Sequence, residues 1–415
     1  MNNNSLNNNN GTNSKLILSI FSLVIVGISS GIFLGWILSN TSSKSLSTKE
    51  ATNTTSKALN NTPFKIGFVT PLSGDGASYG VPAKHAAEVI IQEINEKGGF
   101  GGRKVELYFE DGNCSSVDAK VAGEKLINQI KVDLLYGGEC SDEFLAVAPL
   151  AQEKKIITIS ASATNPKIAE LGKYIFRTIP SDNLAGKAAA QYAKNKFNAS
   201  SSAVIYENTS YAVQLNNVYT KEYEKLGGKV VLATKFDTGE TDFSSFIKDI
   251  KQNNPEVIYV LPQTPTPGVL IVKALKDSGI KANLLTAEVL LTRDEVQKQG
   301  EILDNIVGIE TSVDENKPKA KAISDKYKKT YSQNTQYPTD LLAINDLFYI
   351  YKEAYEKVGS NTDKISEYFH NLKDWDGAAG KITFDKNGDI ISLPYDIKLI
   401  KDKKVTLIET FTVAQ

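Results

Sequence analysis

Along most of this chain, short apolar runs alternate with amphipathic stretches of helical period. That alternation restricts the fold to α/β architectures with parallel sheets. FKIGFVT (64–70) is predicted as a strand. Residues 80–97 carry Ala83, Ala86, Ala87, Ile90, Ile91 and Ile94 at i, i+3, i+4 spacing, so they form a helix with one buried face. GGFGG (98–102) stops that helix as a turn, and VELYFED follows as a second strand. Ser116 is placed to cap the helix SVDAKVAGEKLINQI, after which come DLLYGG, a helix over about 142–153 and IITIS (156–160). The strands are nearly continuous apolar runs, the pattern of a parallel sheet covered by helices on both faces.

The rhythm then restarts. SAVIYEN (202–208), a helix from about Tyr211 to Leu226, KVVLATKF (229–236), a helix from Asp242, VIYVLP (257–262), a helix from Gly268, ANLLTAE (282–288) and IVGIETS (306–312) make a second set. Residues 317–373 read as helical and return to the first set. The tail reads as all β, with hairpin turns at Asn387-Gly388 and Asp402-Lys403. With 415 residues, the chain exceeds what one core usually organises. Two doubly wound parallel-sheet lobes joined by a hinge are the expectation. Open parallel sheets take ligands beyond the carboxyl ends of their strands. The groups there are Ser73, Gly74 and Tyr79; Ser141; Ser162, Ala163 and Thr164; Asn208 to Tyr211; Gln263; and Glu288. That set is rich in hydroxyls, holds one carboxylate and lacks a nucleophile–base pair.

Composition excludes several function classes. Net charge is −1 with Lys and Arg spread along the chain, so the basic footprint of a nucleic-acid binder is missing. Two histidines, His85 and His370, and two cysteines, Cys114 and Cys140, are too few for most zinc sites. No cofactor motif stands out: GGFGGRK follows a helix and precedes a strand, the reverse of a phosphate-binding loop. DKNGD (385–389) resembles the start of a calcium loop but lacks the closing glutamate and reads as a hairpin.

The N-terminus points to export. Residues 16–38 form an uncharged run of 23 residues, enough to span a bilayer as a helix. An uncleaved transmembrane anchor is the expectation, with cleavage near Ser39–Ser43 as the alternative. Residues 1–15 would be a cytoplasmic stub, and the Ser/Thr/Asn-rich 39–63 a flexible linker. Cys114 and Cys140 each follow a predicted strand, and a bridge between them would contribute about 3 kcal/mol in the chain-entropy model. Two reduced, buried thiols are the other reading of that spacing.

TPLSGDGASYG, INEKGGFGGRKVELYFED, GNCSS, GGECSDE, ISASATNP, IFRTIPSDN and GETDFSSFIKDIK occur in an order that resembles the type I periplasmic binding proteins, most closely the leucine/isoleucine/valine-binding group. The resemblance covers roughly residues 63–415. It implies lobe 1 over 64–181 and 313–378, lobe 2 over 182–312 and 379–415, and a Cys114–Cys140 disulfide. It further implies that Ser141 and Thr164 meet a ligand carboxylate, and that the carbonyl of Ser162 and the carboxylate of Glu288 meet its ammonium. Tyr79 and Tyr211 would line the cleft, and Ala163, between Ser162 and Thr164, would be a ligand-binding residue as well. Gln263 stands where relatives place a tyrosine, and Ser162 where alanine is commoner, so the side-chain pocket is expected to be polar. The implied function is capture of an amino acid, branched-chain or polar, and delivery to an ABC transporter permease. The alternative is a sensor of an amide, urea or small carboxylate, acting through a separate membrane partner.

Overall fold

The computed structural model describes residues 62–391 and 393–412. The stub, the apolar run of 16–38 and the linker up to residue 61 lie outside the described residues. Among the described residues no helix is long and apolar enough to cross a membrane.

The first lobe holds a five-stranded parallel sheet, β1 (Phe64–Thr70), β2 (Val105–Asp111), β3 (Leu134–Tyr136), β4 (Thr158–Ser160) and β5 (Ile175–Arg177), in the order β2-β1-β3-β4-β5. Its helices are α1 (Ala77–Glu96), α2 (Ser116–Glu124, continued by a π turn over Lys125–Ile130) and α3 (Ser141–Glu153). The second lobe repeats the pattern with β6 (Ser201–Glu207), β7 (Lys229–Phe236), β8 (Val257–Leu261), β9 (Asn283–Ala287) and β10 (Ile306–Thr311) in the order β7-β6-β8-β9-β10. Its helices are α4 (Asp182–Asn195), α5 (Ser210–Lys225), α6 (Ser244–Asn253), α7 (Pro265–Asp277) and α8 (Arg293–Leu303).

The chain then returns. α9 (Pro318–Tyr331), α10 (Pro338–Val358) and α11 (Thr362–His370) pack through Ile323, Leu342, Phe348 and Phe369 against Phe64, Phe68 and the apolar face of α1. After the short pair β11 (Trp375–Asp376) and β12 (Lys381–Ile382), the antiparallel hairpin β13 (Tyr395–Lys401) and β14 (Lys404–Phe411) extends the second sheet beside β10. Asp402 and Lys403 both take positive φ at its turn, +51° and +58°, the left-handed geometry that suits a two-residue hairpin.

The structure corrects several boundaries. α4 went unpredicted: DNLAGKAAAQYAKN is alanine-rich with low mean apolarity, and its packing face of Ala188, Ala189 and Ala193 lacks the large apolar side chains that mark α1. The α2 cap is Ser115, whose side chain accepts from the Asp118 backbone N–H at 3.3 Å, one residue before the predicted Ser116. The change of lobe falls later than residue 379, because Ile382, Phe384 and Ile390 are buried in the core of the first lobe. The turn at Asn387-Gly388 exists, with the Gly388 N–H donating to Asp385, but it joins a single bridge between Phe384 and Ile390 rather than two strands.

Cys114 and Cys140 form a disulfide with their Cα atoms 5.2 Å apart. They follow β2 and β3, which are not neighbours: β1 lies between them. The bridge therefore passes over the end of β1. Glu143 holds the two loops in place, its carboxylate accepting from the backbone N–H of Cys114 at 3.1 Å and of Glu139 and Cys140 at 3.0 Å each.

Three crossings join the lobes, and they are bonded to one another. Pro180 bridges Ile390, the Ser312 N–H donates to the Pro394 carbonyl at 2.9 Å, and the Tyr395 hydroxyl donates to the Ser181 carbonyl at 3.3 Å. Beside them lies Arg177, with no exposed surface. Its guanidinium makes two 2.6 Å bonds to Asp389 and a third, of 3.0 Å, to the Asn165 carbonyl. Removing one member of a buried pair leaves the other charge uncompensated. Arg177→Met should destabilise the protein by about 3–5 kcal/mol in denaturant titrations. A loss under about 1 kcal/mol would mean that water already reaches Asp389.

Candidate functional site

A cavity of about 470 Å³ opens between the lobes where the carboxyl ends of the two sheets face each other. In each sheet the strand order reverses beside the first strand of the lobe, and loops diverging there leave a crevice. Tyr79, Ser141, Ser162, Thr164, Tyr211, Gln263 and Glu288 all line this cavity. Ala163 does not. The turn after β4 alternates its side chains, so Ser162 and Thr164 face the cavity while Ala163 packs among Phe144, Ala148 and Ile168. Ser73, Gly74 and Asn208 are likewise absent from the lining; Asn208 instead donates to Asp237 at 2.9 Å.

The hydroxyl side of the cavity is built on the first lobe. Ser141 opens α3, and its Oγ accepts from the Asn165 N–H at 3.3 Å. The Ser160 hydroxyl, buried beneath, accepts the N–H groups of Ser162 and Ala163 at 3.1 and 2.8 Å and so shapes the turn. Thr164 donates to Asp182 at 2.8 Å. Arg177 holds the same turn from below, at the Asn165 carbonyl.

The lobes touch along the rim. Tyr79 Oη donates to the Gln263 carbonyl at 2.5 Å, Asn165 Nδ2 donates to the Ser210 carbonyl at 2.7 Å, and the Ser210 N–H donates to Asp142 at 3.0 Å. On the opposite edge Arg293 pairs with Glu315 and donates to the Thr335 carbonyl at 3.2 Å.

The expectation of one carboxylate is wrong. Glu139, Asp182, Glu310, Glu315, Asp340 and Asp396 line the cavity together with Glu288. Glu139 directly precedes the disulfide cysteine at the end of β3, so inspection of strand ends could have found it. Asp182 opens the unpredicted α4, and Asp340 starts α10 after a long connection; neither position carries a signal in the sequence.

Glu288 keeps some surface toward the cavity yet lies deep among protein atoms. It accepts from Tyr211 Oη at 3.1 Å. Burial pushes its carboxyl up to about 7, opposed by its own backbone N–H and by Tyr211, with Glu310 adding to the rise. Burial, then the nearby Glu288, raises Asp182 to about 8 against the bond from Thr164 and the charge of Arg177. Burial and Glu288 raise Asp340 to about 7, and burial raises Glu143 to about 7 despite its three backbone donors. Glu310 also rises on burial, although Lys398 is bonded to it.

In the cavity wall hydroxyls face acids, and the one lysine among the described lining residues, Lys398, is engaged by Glu310. The site can hold a small solute by its polar ends between two bodies that close on it. The fold and cleft are those of a two-lobed solute-binding protein. A family model described as periplasmic binding protein matches residues 63–401, and the chain belongs to that family.

Its relatives include the leucine-, isoleucine-, valine-, threonine- and alanine-binding protein of Pseudomonas aeruginosa, 25% identical over 338 residues, covering 80% of this chain and 89% of that one. Another is the Leu/Ile/Val-binding protein homolog 1 of Brucella suis, 26% identical over 330 residues, covering 78% and 86%. The branched-chain amino acid transporter substrate-binding protein LivJ of Streptococcus pneumoniae, solved with isoleucine, superposes with a TM-score of 0.75 at 25% identity, covering 85% of this chain and 99% of that chain. A solute-binding protein of an ABC transporter from Rhodopseudomonas palustris HaA2, solved with p-hydroxybenzoic acid, gives 0.77 at 24% identity over 85% and 98%. The chain is therefore an extracytoplasmic solute-binding protein of the ABC-transporter class and not an enzyme.

The raised acids make a prediction about the empty protein. Free carboxyls titrate near 4, so between that value and 7–8 the folded state holds protons that the unfolded chain has lost. The stability contributed by the protonated acids is complete below about pH 4, declines as pH rises, and is gone once pH passes 7–8. Glu93 and Glu353 act oppositely. Partly buried, they are nonetheless held down to about 2 by hydrogen bonds from Lys97 and Tyr349 and from Lys357 and Trp375, and they titrate outside this window. Ligand-stripped protein should melt at a higher temperature at pH 6 than at pH 8.5 by scanning calorimetry. A melting temperature that rises with pH over that range would show the acids to be hydrated and ionised.

Proposed function

We propose that this protein captures a free α-amino acid by closing its lobes and presents it to an ABC permease. The observation that carries the reading is Glu288, an enclosed carboxyl in the cavity wall that accepts from Tyr211 and forms no ion pair with a Lys or Arg among the described residues. An α-ammonium supplies the missing positive charge. Ser141, Thr164 and the N–H groups of the turn after β4 answer the α-carboxylate with neutral donors, and the Ser162 carbonyl gives the ammonium a second acceptor.

Because Ser141 and Thr164 sit on the first lobe and Glu288 and Tyr211 on the second, a bound zwitterion stabilises the closed form by touching both. We further assign the apolar run of residues 16–38 as the anchor that keeps the binding lobes at the outer membrane face, near the permease. The names of the relatives that bind leucine, isoleucine and valine support an amino acid; the hydroxybenzoate-bound neighbour makes an aromatic acid the competing ligand.

Glu288→Gln separates the two. For an α-amino acid the change leaves the ammonium short of its counter-charge, so affinity should fall about a hundredfold to a thousandfold, the equivalent of ~3–4 kcal/mol. Titration calorimetry of ligand-stripped protein against the common L-amino acids and 4-hydroxybenzoate provides the readout. Tighter binding of 4-hydroxybenzoate in the variant, with no amino acid bound by the parent, would sink the assignment.

A further inference from the structure

Glu139, only 3% exposed, lines the wall of the cavity contributed by the first lobe and is buried more completely than Glu288. Its position is rigid. The backbone N–H donates to Glu143 at 3.0 Å, one residue before the disulfide, and Oε2 accepts from Tyr136 Oη at 2.5 Å. Oε1 is buried and has no hydrogen-bond partner among the protein's donors. Asp340, at the start of α10, lines the same cavity, and its negative charge raises the Glu139 carboxyl beyond what burial alone does. Neither carboxyl forms an ion pair with any Lys or Arg among the described residues. The two cations that line the cavity are already engaged, Lys398 by Glu310 and Arg293 by Glu315. Gln263 adds another buried, unpartnered acceptor, its Oε1, to the same lining.

This wall is short of donors. A ligand with an aliphatic side chain would press methyl groups against two carboxyls, and each unsatisfied acceptor would be buried further by closure. A group carrying several N–H donors and a positive charge satisfies both carboxyls at once. Tyr79 and Tyr337, edge to face with centroids 5.8 Å apart, line the same cavity and offer aromatic surface on which methylenes or a cation can lie.

We propose that the solute is an amino acid with a basic side chain, whose terminal ammonium or guanidinium is held by Glu139 and Asp340 while its α-ammonium is held by Glu288. This rests on the amino-acid reading of the site and names the class within it. The two cationic subsites lie on opposite lobes, Glu139 and Asp340 on the first and Glu288 on the second, so both charges contribute to closure.

The test is calorimetry of the full chain, purified in mild detergent and stripped of ligand, against L-lysine, L-ornithine, L-arginine, the neutral L-norleucine, 4-hydroxybenzoate and calcium chloride. At least one basic amino acid should bind about a hundredfold more tightly than norleucine. Glu139→Gln and Asp340→Asn should each weaken that ligand about thirtyfold or more while leaving norleucine equal or tighter. Norleucine also reports folding: if Glu139→Gln loses its circular dichroism spectrum, Asp340→Asn alone decides. Norleucine binding as tightly as lysine, or both variants weakening the two ligands equally, overturns the basic side chain and leaves the amino-acid reading standing. Calcium alone binding at this pair, and lost in the same variants, also overturns it. Binding of 4-hydroxybenzoate with no amino acid, neutral or basic, overturns the amino-acid reading itself.

Discussion

One guanidinium organises the place where the chain crosses between lobes. Arg177 ends β5, and its fork on Asp389 ties that strand to the turn of 385–389, which precedes the last crossing. Its remaining reach supports the Asn165 carbonyl and, at 3.5 Å, that of Ala163. A fully buried cation is tolerable only when every donor finds an acceptor, and here the acceptors come from segments more than two hundred residues apart in sequence. The turn that carries Ser162 and Thr164 is therefore as rigid as the ion pair beneath it. Ligand contacts on that turn are made by groups whose ordering was completed when the chain folded, which spares binding part of its entropic cost.

Above this scaffold the cavity concentrates acid. Glu139, Asp182, Glu288, Glu310 and Asp340 line one space, and burial raises every one of them. On the proposed reading a cargo that carries positive charge relieves this crowding, because ionised acids in a shared enclosure repel one another and otherwise have to hold protons. Lobe closure intensifies the effect by expelling water, so a cation bound between the lobes is worth more in the closed form than in the open one. Affinity and closure become a single event. The rim contacts are mixed: Tyr79 with Gln263 and Asn165 with Ser210 are neutral, whereas Asp142 with Ser210 and Arg293 with Glu315 involve charge.

Much of the first lobe was legible because its strands are apolar runs and α1 shows a clean helical period. The repeat of that rhythm announced the second lobe. α4 escaped because its buried face is built of small alanines rather than the isoleucines that mark α1, so its mean apolarity is low. The disulfide joins the ends of β2 and β3 across β1, and strand order is a property of non-local pairing that neighbouring residues do not encode. At the site, the hydroxyls and Glu288 were found by their place after strands. Asp182 and Asp340 were not, since each opens a helix and a carboxylate there is an ordinary first-turn residue.

What local sequence determined on its own was the material: which segments become strands and helices, that two sheets form, and that hydroxyls and one acid stand at strand ends. These follow from side-chain period and from turn chemistry, both short-range. Only the tertiary structure decided that six further acids face the same space, that Ala163 turns away from it, and that the first lobe continues to Ile390. Those outcomes depend on burial, and burial is set by what packs across the gap from parts of the chain that no local window contains.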